Sequence, residues 1–160
     1  WLLCILKLHE KNIMKTAVEF KEIQFSYIFL SFLALFIGII ALSGYQNKGG
    51  WAIILLLVAI LVAVFYKLTT VIDDYGIAAS FGIGFFSRRM NFQEMDVFTI
   101  QLVDIPWYYG IGIRYTSAGI LYNTKHNKAI RILSKDRKKV FLVGTDHYEE
   151  IKSILLQKNN

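Results

Sequence analysis

The sequence predicts a membrane-anchored α+β protein: a two-helix transmembrane hairpin, then a small antiparallel β barrel or sandwich closed by one C-terminal helix. Three observations predict it. Residues 25–45 read FSYIFLSFLALFIGIIALSGY without a charge. Residues 49–66 form a second uncharged stretch that includes WAIILLLVAILVAVFY. Beyond residue 67 the apolar residues come instead in short β-branched and aromatic runs separated by turn residues.

The first stretch, as a helix, would reach roughly 31 Å at about 1.5 Å per residue, close to the thickness of a bilayer core. Both stretches are apolar on every side, as lipid-facing helices are. Tyr27 and Tyr45 bracket the first and Trp51 and Tyr66 the second, matching interfacial aromatic belts. A buried hairpin in a soluble core is disfavoured, because 160 residues leave little protein to cover two such helices. The connection Gln46-Asn47-Lys48-Gly49-Gly50 is short, so the spans, about 25–45 and 50–67 within a hairpin of 25–68, should be antiparallel neighbours. Lys7, Lys11, Lys15 and Lys21 precede them, Lys67, Arg88 and Arg89 follow, and the loop holds only Lys48. The positive-inside rule then predicts a multi-pass protein of the plasma or inner membrane with both termini cytoplasmic. Residues 1–24 read as an N-terminal leader. Met14 opens MKTAVEFKEIQF as a natural start, which leaves open whether 1–13 belong to the native protein.

Composition bounds the rest. Charged residues are 19% and aromatics 15%, which excludes a disordered chain. A single cysteine, Cys4, excludes a disulfide framework and a Cys-rich zinc site. The net charge of +6 raises nucleic-acid binding, but topology accounts for much of the excess and no recognition motif appears.

From residue 69 to 160 the chain reads as one cytoplasmic β domain. Strands are expected at 70–73, 77–81, 85–92, 97–102, 113–116, 119–123, 129–133 and 139–143. Helical spacing returns at Ile151, Ile154 and Leu155, behind Asp146 as N-cap and Glu149 as its capping-box partner, which predicts a helix over 146–157.

Three segments carry a family resemblance: Gly110-Ile111-Gly112-Ile113-Arg114-Tyr115-Thr116, Gly119-Ile120-Leu121-Tyr122-Asn123, and Val143-Gly144-Thr145-Asp146 at the mouth of the last helix. With the order of hydrophobic helices, strands and terminal helix, the chain resembles the bacterial pleckstrin-homology-like (PH-like) membrane proteins over about residues 51–157. The resemblance implies a binding module and brings no catalytic residues.

No catalytic, metal or cofactor constellation stands out. His9, His126 and His147 have no ligand partner at helical spacing, and Cys4 has no fixed histidine. Asp73-Asp74 reads as a turn before Gly76, since adjacent strand residues point to opposite faces. The Gly82-Ile83-Gly84 and Gly110-Ile111-Gly112 patterns lack a third glycine and run into strands, so they read as turns rather than phosphate loops.

The candidate binding residues are basic and aromatic. Arg88 and Arg89 form one patch; Lys125 and Lys128 flank one turn, and Lys135, Arg137, Lys138 and Lys139 fill the next. They suit anionic lipid headgroups or a protein partner, against the simpler reading of solvated hairpin tips. Trp107, Tyr108 and Tyr109 form an aromatic loop that either plugs the barrel or meets an interface. The expected function is an integral membrane protein that presents a non-catalytic PH-like module at the cytoplasmic surface of the bilayer, binding a membrane or cytoplasmic protein or anionic lipid. The alternative is a structural or assembly subunit of a membrane complex acting through its helical hairpin, with Gly38, Ala41 and Gly44 as a small-residue stripe. No oligomeric state is legible.

Overall fold

The computed structural model describes residues 18–42, 48–125 and 128–158. Their order is β1 (Phe20–Phe25), α1 (Tyr27–Leu42), α2 (Lys48–Phe65), β2 (Lys67–Asp73), β3 (Gly76–Phe81), β4 (Phe86–Asn91), β5 (Met95–Asp104), a 3₁₀ turn (Trp107–Tyr109), β6 (Gly112–Thr116), β7 (Gly119–Asn123), β8 (Lys128–Ser134), β9 (Val140–Gly144) and α3 (Tyr148–Lys158). The questions raised at Cys4, His9, Met14, Gly44, Tyr45 and His126 lie outside these residues, as does the side chain of Trp51.

The expected transmembrane hairpin is overturned. α1 has 16 residues and α2 has 18, about 24 and 27 Å at ~1.5 Å per residue, short of a hydrocarbon core of ~30 Å. The first three residues of α2 are Lys48, Gly49 and Gly50, which shortens its apolar length further. Among the described residues no helix is long and apolar enough to cross a membrane. The uncharged stretches counted residues that are not helical. Phe25 closes β1, and Ser26 and Tyr66 form the junction, with the Ser26 N–H donating to the Tyr66 carbonyl at 2.8 Å. The membrane-anchored fold class, the multi-pass membrane location and the cytoplasmic placement of both termini fall with the hairpin.

The closed barrel is overturned as well. The strands form two separate sheets, β1-β2-β3-β4 and β5-β8-β9-β7-β6, with no ladder joining β4 to β5. The second sheet is mixed, because β7 pairs with β9 in parallel while the other pairs are antiparallel. Residues 20–25, expected in or beside a leader, are the edge strand β1, in register with β2 from Phe20↔Ile72 to Phe25↔Lys67. Both helices are therefore an excursion between two paired strands, and their roots stand side by side.

The main core gathers Leu68, Ile72, Phe81, Ile130, Ile132 and Phe141 from the two sheets, with Ile151 and Leu155 from α3. α3 starts two residues later than its expected N-cap: the His147 carbonyl accepts the first helical bond from the Ile151 N–H at 3.0 Å. The Thr145 hydroxyl, rather than the Asp146 carboxylate, receives the His147 N–H, at 2.9 Å. The two long helices meet along a seam at near-heptad spacing, Phe29, Leu33, Phe36 and Ile40 facing Leu55, Val58, Val62 and Phe65, the less exposed positions of each. Phe29 stacks on Phe65 at 5.6 Å. Phe65 also stacks on Phe86 at 5.8 Å and meets Phe81 edge-on at 5.6 Å, which fixes the end of α2 to the first sheet.

Candidate functional site

The eight basic candidates do not converge. Lys125 and Lys128 stand at the start of β8 and Lys135–Lys139 beyond its end, which separates them by roughly 20 Å at about 3.4 Å per strand residue. Three of the eight are taken up by carboxylates. Arg89 grips Asp73, with Nη2 to Oδ2 at 2.7 Å. Lys125 meets Asp146 at 2.5 Å and Lys139 meets Glu94 at 2.9 Å. The hydrogen bond from Lys139 to Glu94 and the charge of that carboxylate hold the ammonium above its ordinary range, against repulsion from Arg88. Strand β4, which carries Arg88, packs against β9, the strand that follows the β8–β9 turn. At that end Arg88, Lys135, Arg137 and Lys138 have no carboxylate ion pair among the described residues.

That turn is internally braced. Arg137 sits at φ +57°, a left-handed position, and its N–H donates to the Ser134 carbonyl at 2.8 Å. The Ser134 hydroxyl and the Lys138 N–H both donate to Asp136, holding its carboxyl below the ordinary range. A shallow depression of about 240 Å³ lies here, lined by Glu94, Ser134, Lys135, Asp136 and Lys139. Its two carboxylates offset its two ammonium groups, so it is no anion pocket.

The aromatic loop is not a plug. Trp107 is 79% exposed and Tyr108 67%; they meet each other edge-on, as do Tyr108 and Tyr109. Only Tyr109 turns inward, onto the small cluster of Ile105, Leu121, Ala129 and Leu142.

A buried polar cluster escaped the sequence reading. Glu22 on β1 is 6% exposed. Its carboxylate accepts the Thr145 hydroxyl at 2.6 Å, the Gln24 side-chain amide at 2.6 Å and the Asp146 N–H at 3.0 Å. His147 Nδ1 stands 3.5 Å away. Gln24 donates as well to the Gly144 carbonyl at 3.3 Å and accepts the Thr124 hydroxyl at 2.9 Å. The inward residues of β1 alternate Phe20, Glu22, Gln24, a polar pattern that reads as surface until its partners from β7–β9 are known. The cluster clamps the two sheets together, and both oxygens of the Glu22 carboxylate already have protein donors.

Asp73 is likewise engaged: its Oδ1 accepts the Tyr75 and Gly76 N–H groups at 2.9 and 3.1 Å, in keeping with a turn role. Asp74 pairs with Lys158 at 2.8 Å. Among the described residues no three His, Cys, Asp or Glu side chains are grouped to hold a metal ion.

The largest unsatisfied feature is apolar. The outer faces of α1 and α2 expose Tyr27, Phe32, Leu35, Ile53, Leu57 and Ile60 among others, at fractional exposures of 38–69%. Gly38 contributes no tight contact within the chain: nothing lies within 4 Å of where its Cβ would stand. No family model, curated protein or solved structure matches this chain.

Proposed function

We propose that this chain is a non-catalytic assembly subunit that works by burying the outer faces of α1 and α2 against another polypeptide. The carrying observation is the apolar surface of those helices. Ordinary monomers rarely expose contiguous apolar patches beyond a few hundred Å², and six of the exposed side chains named above alone exceed that order. Neither helix has an acidic residue in its first turn or a basic residue in its last. The polar groups on the described part of those faces are the Tyr27 phenol and the Ser31 hydroxyl, and the latter is bonded to its own helix. The β domain then serves as the folded body from which the helices project, rooted at Ser26 and Tyr66.

A photo-crosslinking amino acid at position 35 or 57 tests this in the full chain, with position 75 on the β2–β3 turn as control. Discrete protein adducts at 35 and 57, absent at 75, are expected. Adducts at none of the three overturn the reading.

A second reading, a surface-reading module, is favoured by Arg88, Lys135, Arg137 and Lys138 at one end of the β domain. It would recognise an acidic segment of a protein partner. The strands-then-helix order keeps the PH-like resemblance within this second reading.

A further inference from the structure

We infer that the polypeptide covering α1 and α2 is a second copy of this chain; the inference rests on the assembly reading above. The outer faces present on the order of 1,000 Å² of apolar side chain, enough for the roughly 800 Å² per partner of a stable interface. Their chemistry is self-complementary. The described part of the outer surface carries no charged group, and the Ser31 hydroxyl is satisfied by the Tyr27 carbonyl of its own helix at 2.8 Å. Apart from the Tyr27 phenol at the foot of α1, the described outer side chains offer no donor or acceptor that calls for a particular foreign partner. A twofold axis lays one patch on its equal and asks only for apolar groups on both sides.

The geometry suits it too. Within one copy, Phe29 and Ile40 on α1 and Val62 and Phe65 on α2 already form a closed seam. Two such helix pairs stacked face to face make a four-helix bundle, whose core takes Phe32 and Leu35 from α1 and Leu57 and Leu61 from α2.

Light scattering on the purified full chain reads the result directly. The expected mass is twice 18.4 kDa, falling twofold in the Leu35→Gln/Leu57→Gln variant with unchanged far-ultraviolet circular dichroism. Should that variant fail to fold, single cysteines at 32, 35 and 39 in a Cys4→Ser background replace it, and a homodimeric disulfide at one or more of them is expected. A monodisperse wild-type monomer whose 35 and 57 adducts contain a different polypeptide overturns the second copy and leaves the assembly reading standing. A monomer without protein adducts, including one that floats with lipid vesicles, overturns both.

Discussion

The Asp73 carboxylate and the Arg89 guanidinium meet at two points, Nη1 to Oδ1 at 2.9 Å and Nη2 to Oδ2 at 2.7 Å, and so tie β2 to β4 across β3. The carboxylate is buried and the guanidinium partly exposed. Arg89→Ala leaves a buried carboxylate with backbone donors alone, and should cost roughly 1.5–3 kcal/mol, the range for hydrogen bonds to charged groups. Arg89→Lys keeps the charge but loses the fork, so it should recover only part of that. Urea unfolding of the three proteins checks the order.

The same pair makes stability depend on pH. Burial alone would push the Asp73 carboxyl up, but the bonds and charge of Arg89, with the Tyr75 and Gly76 amides, outweigh it and hold the group below its ordinary value of 3.8. A carboxyl depressed in the folded state stabilises above its unfolded value and ceases to do so as pH falls through its folded one. The gap between wild type and Asp73→Asn should therefore be full at pH 7 and should narrow once the pH drops below about 3.8. Urea midpoints measured at pH 7 and pH 3 decide it; an unchanged gap contradicts the assignment.

At the sheet-to-sheet clamp, Glu22→Gln retains shape but replaces an acceptor oxygen with a donor amide. The amide oxygen can keep the Asp146 N–H and the Gln24 amide, while the new NH2 faces the Thr145 hydroxyl, which must turn to accept; neutral bonds then replace charge-assisted ones. A loss of about 1 kcal/mol is expected for exchanging charge-assisted for neutral bonds, or a melting temperature lower by roughly 2–4 °C for a chain of this size. A thermal melt of Glu22→Gln that overlays the wild type would show that the clamp carries no net stability.

How legible all this was depended on where the pattern is local. The strands from β2 to β9 announced themselves because turn residues such as Gly76, Gly82 and Gly119 punctuate short β-branched runs. β1 did not, since Glu22 and Gln24 face inward and become understandable only with Thr124, Thr145 and Asp146, about a hundred residues further along the chain. The first helix was expected to begin two residues too early, and the second to end two residues too late, for a similar reason. The absence of charge at Phe25, Ser26 and Tyr66 is as compatible with a strand end and a junction as with a helix, and the pairing of β1 with β2 decides between them. The parallel contact of β7 with β9 has no sequence signature at all. Among the basic candidates, charge was visible at Arg89, Lys125 and Lys139, but their carboxylate partners at Asp73, Asp146 and Glu94 were not.

Gly82 allows α2 to end against the β3–β4 turn. It sits at φ +55°, and a Cβ there would stand 2.4 Å from the Ala63 and Val64 carbonyl oxygens. Gly82→Ala must move the backbone at the last turn of α2, a cost expected to exceed ~2 kcal/mol. Gly84, also at positive φ but with nothing within 4 Å of its Cβ position, should cost only about 1 kcal/mol as Ala, the price of the conformation itself. Equal chemical-denaturation midpoints for the two variants would show that the close approach to α2 is unimportant.

Phe65 couples the helix pair to the β domain, because one ring touches Phe29 on α1 and Phe81 and Phe86 on the first sheet. Phe65→Ala should therefore cost roughly 3–4 kcal/mol, typical of a large aromatic removed from a packed site. Phe98, on the bulged edge strand β5 and 93% exposed, should cost under ~0.5 kcal/mol when replaced by Ala. Hydrogen exchange separates the two roles that Phe65 plays. If the ring is a coupler, amides of α1 and α2 in Phe65→Ala exchange faster than those of β8 and β9, because the helices open without the second sheet. Uniform acceleration across all elements would instead make Phe65 an ordinary core residue, and the helix pair a part of one cooperative unit with both sheets.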